Sequence, residues 1–101
     1  MEQFRPAMES DVGVIVEIMR CYYAENGYPF VEAEARQATL DLIRITHLGD
    51  LWVVHEEWRV VGYLAVTLGF SLEYRGRDAF IDELFITDSV AARVWGAKHL
   101  R

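Results

Sequence analysis

The chain has 101 residues, of which 52% are hydrophobic and 13% aromatic, so it can bury a core as one domain over residues 1–101. Its formal net charge of −6 and its lack of a basic cluster argue against a nucleic-acid or anionic-membrane partner. A single cysteine, no apolar run of about 18 residues and no signal peptide at the start argue against a secreted or membrane-spanning protein, and the cytoplasm is the expected location.

The first half of the chain predicts one strand followed by two helices. Residues 3–6 predict a short strand, and Ser10 and Asp11 offer an N-cap and a first-turn acid to a helix that the Asn-Gly pair at 26–27 ends. A second helix is expected over residues 32–45. Both helices have an apolar stripe at helical spacing. The stripes are Val14, Ile15, Ile18, Met19 and Tyr22 in the first helix, and Ala35, Ala38, Leu42 and Ile45 in the second.

The second half of the chain predicts three strands with short joints. A turn is expected at 49–50, a hairpin at 56–59, a polar connection at 69–78 and a final helix over 89–101. The strand expected over residues 60–70 is apolar on both faces, so it is expected inside the sheet. The order β-α-α-β-β-β-α predicts an α/β (α+β) fold in which helices pack on an antiparallel meander. The three strands, indicated by their β-branched and aromatic content, are residues 51–55, 60–70 and 79–86.

Three stretches of the chain, in this order, resemble one known family. FRPAMESDVGVIVEIMR is similar to the first strand and helix of the GNAT-type acyl-CoA N-acyltransferases, VVGYLAVTL to their third strand and AFIDELFI to their fourth. The resemblance covers residues 3–86. It implies a GNAT-type fold and an N-acetyltransferase that moves an acetyl group from acetyl-CoA, its co-substrate, to a small amine. The identity of the amine does not follow from the sequence.

The resemblance is incomplete at the coenzyme loop. In the family, the fourth strand leads into an Arg/Gln-x-x-Gly-x-Gly/Ala loop, whose backbone N–H groups bind the pyrophosphate at the start of a helix. Without gaps only Gly96 fits this pattern; a shifted register aligns Arg93 and Gly96, but Lys98 then replaces the small residue. The family's fifth strand and its later helix, which commonly supplies a tyrosine acid, do not follow. The resemblance therefore implies a truncated domain with weak acetyl-CoA binding and weak or absent turnover.

An acidic pair on the fourth strand stands where family members often place the base that takes a proton from the acceptor ammonium. Either Glu83 or Asp82 resembles that base; alternatively, one carboxylate caps nearby backbone and the other is solvated. Neighbours in a strand point to opposite faces, so at most one of the two is expected to face the cleft. The backbone of Leu84, Phe85 and Ile86 resembles the stretch that pairs with pantetheine, and it also fits a plain buried strand.

Three aromatic residues, Tyr23, Tyr28 and Phe30, lie around the joint between the first two helices. In the family this joint shapes the acceptor pocket, but the same residues also fit simple core or loop packing. Cys21 lies within the first helix and is expected to be a small buried residue. The histidines are scattered without metal-ligand spacing, so no metal site is expected.

Two classes of function are consistent with the sequence. One is the N-acetyltransferase that the resemblance implies. The other is a non-catalytic module that uses the front half of the fold for dimerisation or regulation. Without a fifth strand, the apolar strand at 79–86 becomes a sheet edge that lacks protective lysines and prolines. We therefore expect a homodimer through this edge, with Trp95 and Leu100 as contributors.

Overall fold

The computed structural model describes residues 2–73 and 75–87, which form one antiparallel sheet with two helices packed against it. A 3₁₀ turn at Glu9–Asp11 precedes the first helix. The predicted meander packed by helices is confirmed. The strand expected over residues 60–70 also lies inside the sheet, as predicted. The predicted helix at 89–101 lies outside the described residues. In chain order the elements are β1 (Glu2–Pro6), α1 (Val12–Glu25), α2 (Glu32–Arg44), β2 (Gly49–Glu56), β3 (Arg59–Ser71) and β4 (Gly76–Ile86), and the sheet order is β1-β2-β3-β4.

A buried carboxylate joins β1 to α1. The two carboxylate oxygens of Asp11 accept hydrogen bonds from the Arg5 guanidinium at 2.9 Å each. The backbone N–H of Met8 donates to the same carboxylate at 2.7 Å. The hydrogen bonds from Arg5 hold the pKa of Asp11 below its ordinary value in spite of burial. Ser10, the expected N-cap, is instead exposed and lies inside the turn.

The main core lies between the helices and one face of the sheet. α1 inserts Ile15, Ile18 and Tyr22 into it, so the predicted stripe is confirmed at these positions, whereas Val14 is exposed. Successive side chains of a strand point to opposite faces, so a second, smaller cluster can form on the other face of the sheet. The strands contribute Leu51, Val53, Tyr63, Ala65 and Phe85 to the main core, and Val54, Val61 and Ile86 to the second cluster.

Two segments that the sequence predicts as turns or loops belong to strands in the structure. Gly49 begins β2, and the turn before it falls at 46–48. The predicted connection at 69–78 is much shorter, because β3 and β4 continue to pair up to Ser71 opposite Gly76. Arg75 adopts a left-handed conformation with φ 55°, which lets the chain reverse within the few residues left between the strands.

The surface of the molecule bears on further expectations. The β2–β3 hairpin falls where predicted, and Trp58 at its tip is 86% exposed. The expectation that Cys21 is buried is wrong, because Cys21 shares the solvent-exposed face of α1 with Glu17 and Glu25. Of the helices that the structure describes, neither is long and apolar enough to cross a membrane.

Candidate functional site

An extra residue in β4 changes the direction of the acidic pair. Where β3 pairs with β4, Ala65 lies opposite Glu83 and Val66 lies opposite Ile81, so no residue of β3 stands opposite Asp82. A bulge of this kind interrupts the alternation of side chains along the strand. Asp82 and Glu83 both line one cavity as a result, and the expectation that at most one of them faces the cleft is wrong.

The cavity has a volume of about 320 Å³ and lies between the two helices and the sheet. Small side chains are part of its lining, among them Ala35 and Ala38 of α2 and Ala65 of β3. Three residues of the predicted α2 stripe, Ala35, Ala38 and Leu42, line the cavity, and Leu42 also packs against the main core. At the end of the stripe Ile45 is exposed, while Thr39, which the stripe omits, is buried.

Glu83 lies on the sheet side of the cavity between two tyrosine hydroxyls. Tyr63 donates to its Oε1 at 2.7 Å, and Tyr23 donates to its Oε2 at 2.5 Å. Burial and the neighbouring Glu83 carboxylate raise the pKa of both tyrosines, so both hydroxyls keep their protons at neutral pH and remain donors. These charge-assisted hydrogen bonds hold the Glu83 carboxylate in one orientation.

The loop between α1 and α2 adds an aromatic wall to the cavity. Of the three aromatic residues predicted there, Tyr23 and Phe30 line the cavity, whereas Tyr28 does not. The Tyr23 ring meets the rings of Tyr28 and Phe30 edge to face, with centroids 5.8 Å apart in each pair. The Arg20 guanidinium lies 5.1 Å from the centre of the Phe30 ring. Tyr28 therefore supports Tyr23, whose hydroxyl points to Glu83.

Tyr63 is the residue of this site that sequence reasoning missed. It is 1% exposed and lies on the helix-facing side of β3, in the stretch VVGYLAVTL. A buried tyrosine hydroxyl needs a hydrogen-bond partner. The other side chains of this stretch are apolar, except for Thr67, which lies four residues further along the strand. That requirement, applied to the sequence, points to a polar partner on a neighbouring strand, which the structure identifies as Glu83.

The end of β4, predicted as the coenzyme contact, presents its backbone in two directions. The Thr87 N–H donates to the Val61 carbonyl at 2.5 Å, so by alternation Phe85 also turns its backbone groups toward β3. Leu84 and Ile86 turn theirs to the opposite side, where no further strand lies among residues 2–73 and 75–87. The remaining predicted coenzyme contacts, both outside the described residues, are Arg93 and Gly96.

The charged side chains around the cavity are acidic. Its lining contains the carboxylates of Glu34, Asp82 and Glu83 and, among the described residues, no lysine, arginine or histidine. No three carboxylate, histidine or cysteine side chains in the described part of the chain are placed to hold a metal ion together. An organic cation with an apolar stem matches this lining, because a charge that leaves water needs an opposite charge or hydrogen bonds.

Comparison with known proteins identifies the fold. No protein-family model and no curated protein matches the chain. An integron cassette protein from the mobile metagenome of Cole Harbour Salt Marsh matches with a TM-score of 0.84 and 35% sequence identity, over 93% of this chain and 62% of that protein. A possible acetyltransferase from Clostridium difficile 630 matches with a TM-score of 0.75 at 16% identity, over 87% of this chain and 59% of that protein.

A third solved structure contains the coenzyme. It is a "predicted acetyltransferase with acetyl-CoA" from Clostridium acetobutylicum, and it matches with a TM-score of 0.70 at 17% identity, over 88% of this chain and 62% of that protein. The similarity to these acetyltransferases shows that the chain has a GNAT-like fold, as the resemblance in sequence implies. The chain spans between 59% and 62% of the length of the three proteins described.

Proposed function

We propose that the chain is a GNAT-type N-acetyltransferase in which the acidic cavity binds a small amine, the acceptor of the acetyl group of acetyl-CoA. The main support is the position of Glu83, which faces this cavity on a GNAT-like fold while two tyrosine hydroxyls fix its carboxylate. Two solved structures described as acetyltransferases share the fold, and one of them contains acetyl-CoA, which adds support.

Acetyl transfer to an amine begins with the loss of a proton, because an ammonium nitrogen has no free electron pair. The Glu83 carboxylate accepts that proton, directly or through one water. The neutral nitrogen then attacks the thioester carbonyl, and the tetrahedral intermediate collapses with cleavage of the C–S bond. The nitrogen gives up its second proton and the departing thiolate takes up a proton, so the products are the acetamide and the coenzyme A thiol. The nearby Asp82 adds negative charge that favours a cationic acceptor.

The coenzyme is expected to approach along the open side of β4. The backbone groups of Leu84 and Ile86 turn to that side, close in sequence to the acidic pair, and we assign them to the pantetheine arm. A binding site for the coenzyme phosphates has less support, because only Arg93 and Gly96 fit the pyrophosphate loop of the family. Acetyl-CoA binding and turnover by this chain should therefore both be weak.

Calorimetry with acetyl-CoA on the purified chain tests this proposal. Enzymes commonly bind substrates in the range of about 1 μM to 1 mM, and we expect a dissociation constant at the weak end of that range. Acetyl-pantetheine, which lacks the nucleotide and its phosphates, is the matched control and should bind with similar affinity. If acetyl-CoA binds with a dissociation constant of a few micromolar and acetyl-pantetheine does not, the loop after β4 binds the phosphates, and the prediction of weak coenzyme binding is wrong. No binding of either compound would refute coenzyme use.

A second candidate function is a non-catalytic module that dimerises. Among the described residues β4 pairs on one side only, and its Phe80 and Ile81 are 55% and 38% exposed. Phe70, on β3 near the same end of the sheet, is 67% exposed. Apolar side chains on an open sheet edge are typical of an interface. This candidate is favoured if the chain dimerises but neither binds acetyl-CoA nor transfers its acetyl group.

A further inference from the structure

We infer that the acceptor carries two cationic groups, one bound at Asp82 and Glu83 on the sheet and the other at Glu34 where the cavity opens. A linear aliphatic diamine is the simplest compound of this class. The inference rests on the proposed function, because it specifies which kind of amine the same cavity takes.

The three carboxylates of the cavity lie at two depths. Asp82 and Glu83 are partly buried on β4, whereas Glu34 is exposed in the first turn of α2. An exposed side chain that lines a cavity stands where the cavity meets solvent. Most of the remaining lining is apolar, including Met19 of α1 and Leu42 of α2. This arrangement matches a ligand with an apolar stem and a cation at each end, because every part of it meets a complementary group.

Glu34 differs from its charged neighbours on α2. Arg36 lies 3.6 Å from the carboxylate of Glu32, and Arg44 binds Glu9 at 2.7 Å. In the described part of the chain, Glu34 makes no hydrogen bond and no ion pair. A ligand cation can therefore bind Glu34 without breaking an internal contact.

The contribution of Glu34 should be measurable but moderate. Water screens an ion pair at an exposed side chain, so the second cation should raise the affinity by about two- to fivefold. A symmetric diamine also has a statistical advantage, since either end can enter the cavity, and a raw affinity does not separate the two effects. The ratio of diamine to monoamine affinity, compared between the wild type and a Glu34 variant, removes the statistical advantage.

The experiment is an amine titration by NMR or calorimetry in the absence of acetyl-CoA. Cadaverine serves as the diamine and pentylamine as the monoamine with the same number of carbons. The proteins are the wild type, Glu34→Gln and Glu25→Gln; Glu25 is an exposed carboxylate of α1 away from the cavity lining, so its variant makes the same change in net charge. We expect the cadaverine-to-pentylamine affinity ratio to fall about two- to fivefold in Glu34→Gln and to stay unchanged in Glu25→Gln.

The outcomes separate this inference from the proposed function. If both amines bind and the ratio is the same in the wild type and in Glu34→Gln, the second cation site is refuted while the amine site stands. If the ratio falls equally in both variants, only net charge matters, and the second cation site is again refuted. If neither amine binds the wild type, the cavity is not an acceptor site, and the inference and the proposed function both fail.

Discussion

At the scale of single residues, the hydrogen bond from Tyr63 to Glu83 ties the core of the protein to its candidate site. Tyr63→Phe removes the donor that lies 2.7 Å from the carboxylate and leaves the ring in place. A hydrogen bond to a charged group contributes about 1.5–3 kcal/mol, and Glu83 keeps its bond from Tyr23. We expect Tyr63→Phe to lower the free energy of unfolding by about 1–2 kcal/mol in urea titrations followed by circular dichroism.

The matched control for this prediction is Tyr28→Phe. The Tyr28 ring packs on Tyr23, but within the described residues its hydroxyl makes no hydrogen bond. Removing this hydroxyl should change the free energy of unfolding by less than about 0.5 kcal/mol. Equal losses in the two variants would contradict the importance of the contact between Tyr63 and Glu83.

Some residues of the site can be predicted from the sequence, because residue type and place along the chain are enough to select them. Glu83 and Tyr23 are selected in this way, but their contact joins residues 60 positions apart and depends on how α1 packs on the sheet. Asp82 could not be assigned to the cavity, since its direction follows from a bulge that only the register of β3 against β4 reveals. That register is a property of the folded sheet.

At the scale of elements, the sequence predicts the helices better than the ends of the paired strands. The second helix is expected over 32–45 and observed at Glu32–Arg44. The spacing of its apolar residues and the residues that flank it indicate the same bounds. Local composition is a poorer guide where strands pair. The polar stretch at 69–78 reads as a loop, yet backbone hydrogen bonding to a neighbouring strand extends β3 and β4 into it.

The exposed edge of β4 leads to a prediction about assembly. We expect the chain to dimerise through residues 79–86 and to bury at least about 1,200 Å² in total. Within the described part of the chain β4 pairs on one side only, and its unpaired backbone groups and exposed apolar side chains favour pairing with a second copy. Ile81→Lys places a charge on this edge and should shift the dimer to monomer. Light scattering during gel filtration at micromolar concentration measures the mass.

Trp58→Lys provides the control for that experiment. Trp58 is also apolar and exposed, but it lies at the tip of the β2–β3 hairpin, so the lysine there should leave the dimer intact. A wild-type protein that elutes as a monomer of 11.7 kDa would refute the dimer. Loss of the dimer in both variants would show that the β4 edge is not the specific interface.

At the scale of the whole molecule, the order of the elements and three local stretches are enough to predict the GNAT-like fold. The cavity is a different kind of feature, because residues of two helices and three strands line it together. No single segment of the sequence contains it. The negative net charge is visible in the composition, but the grouping of Glu34, Asp82 and Glu83 around one cavity appears only after folding.

The central claim is that Glu83 acts as the base of an acetyl transfer, and release of the coenzyme A thiol from acetyl-CoA in the presence of an amine tests it most directly. The wild type should release thiol in an amine-dependent manner. Glu83→Gln should lower the rate by roughly 10²–10⁴-fold, with Asp82→Asn as the companion variant and Glu25→Gln as the unaffected control. A full rate in Glu83→Gln, or no thiol release by the wild type with any amine, would contradict the claim.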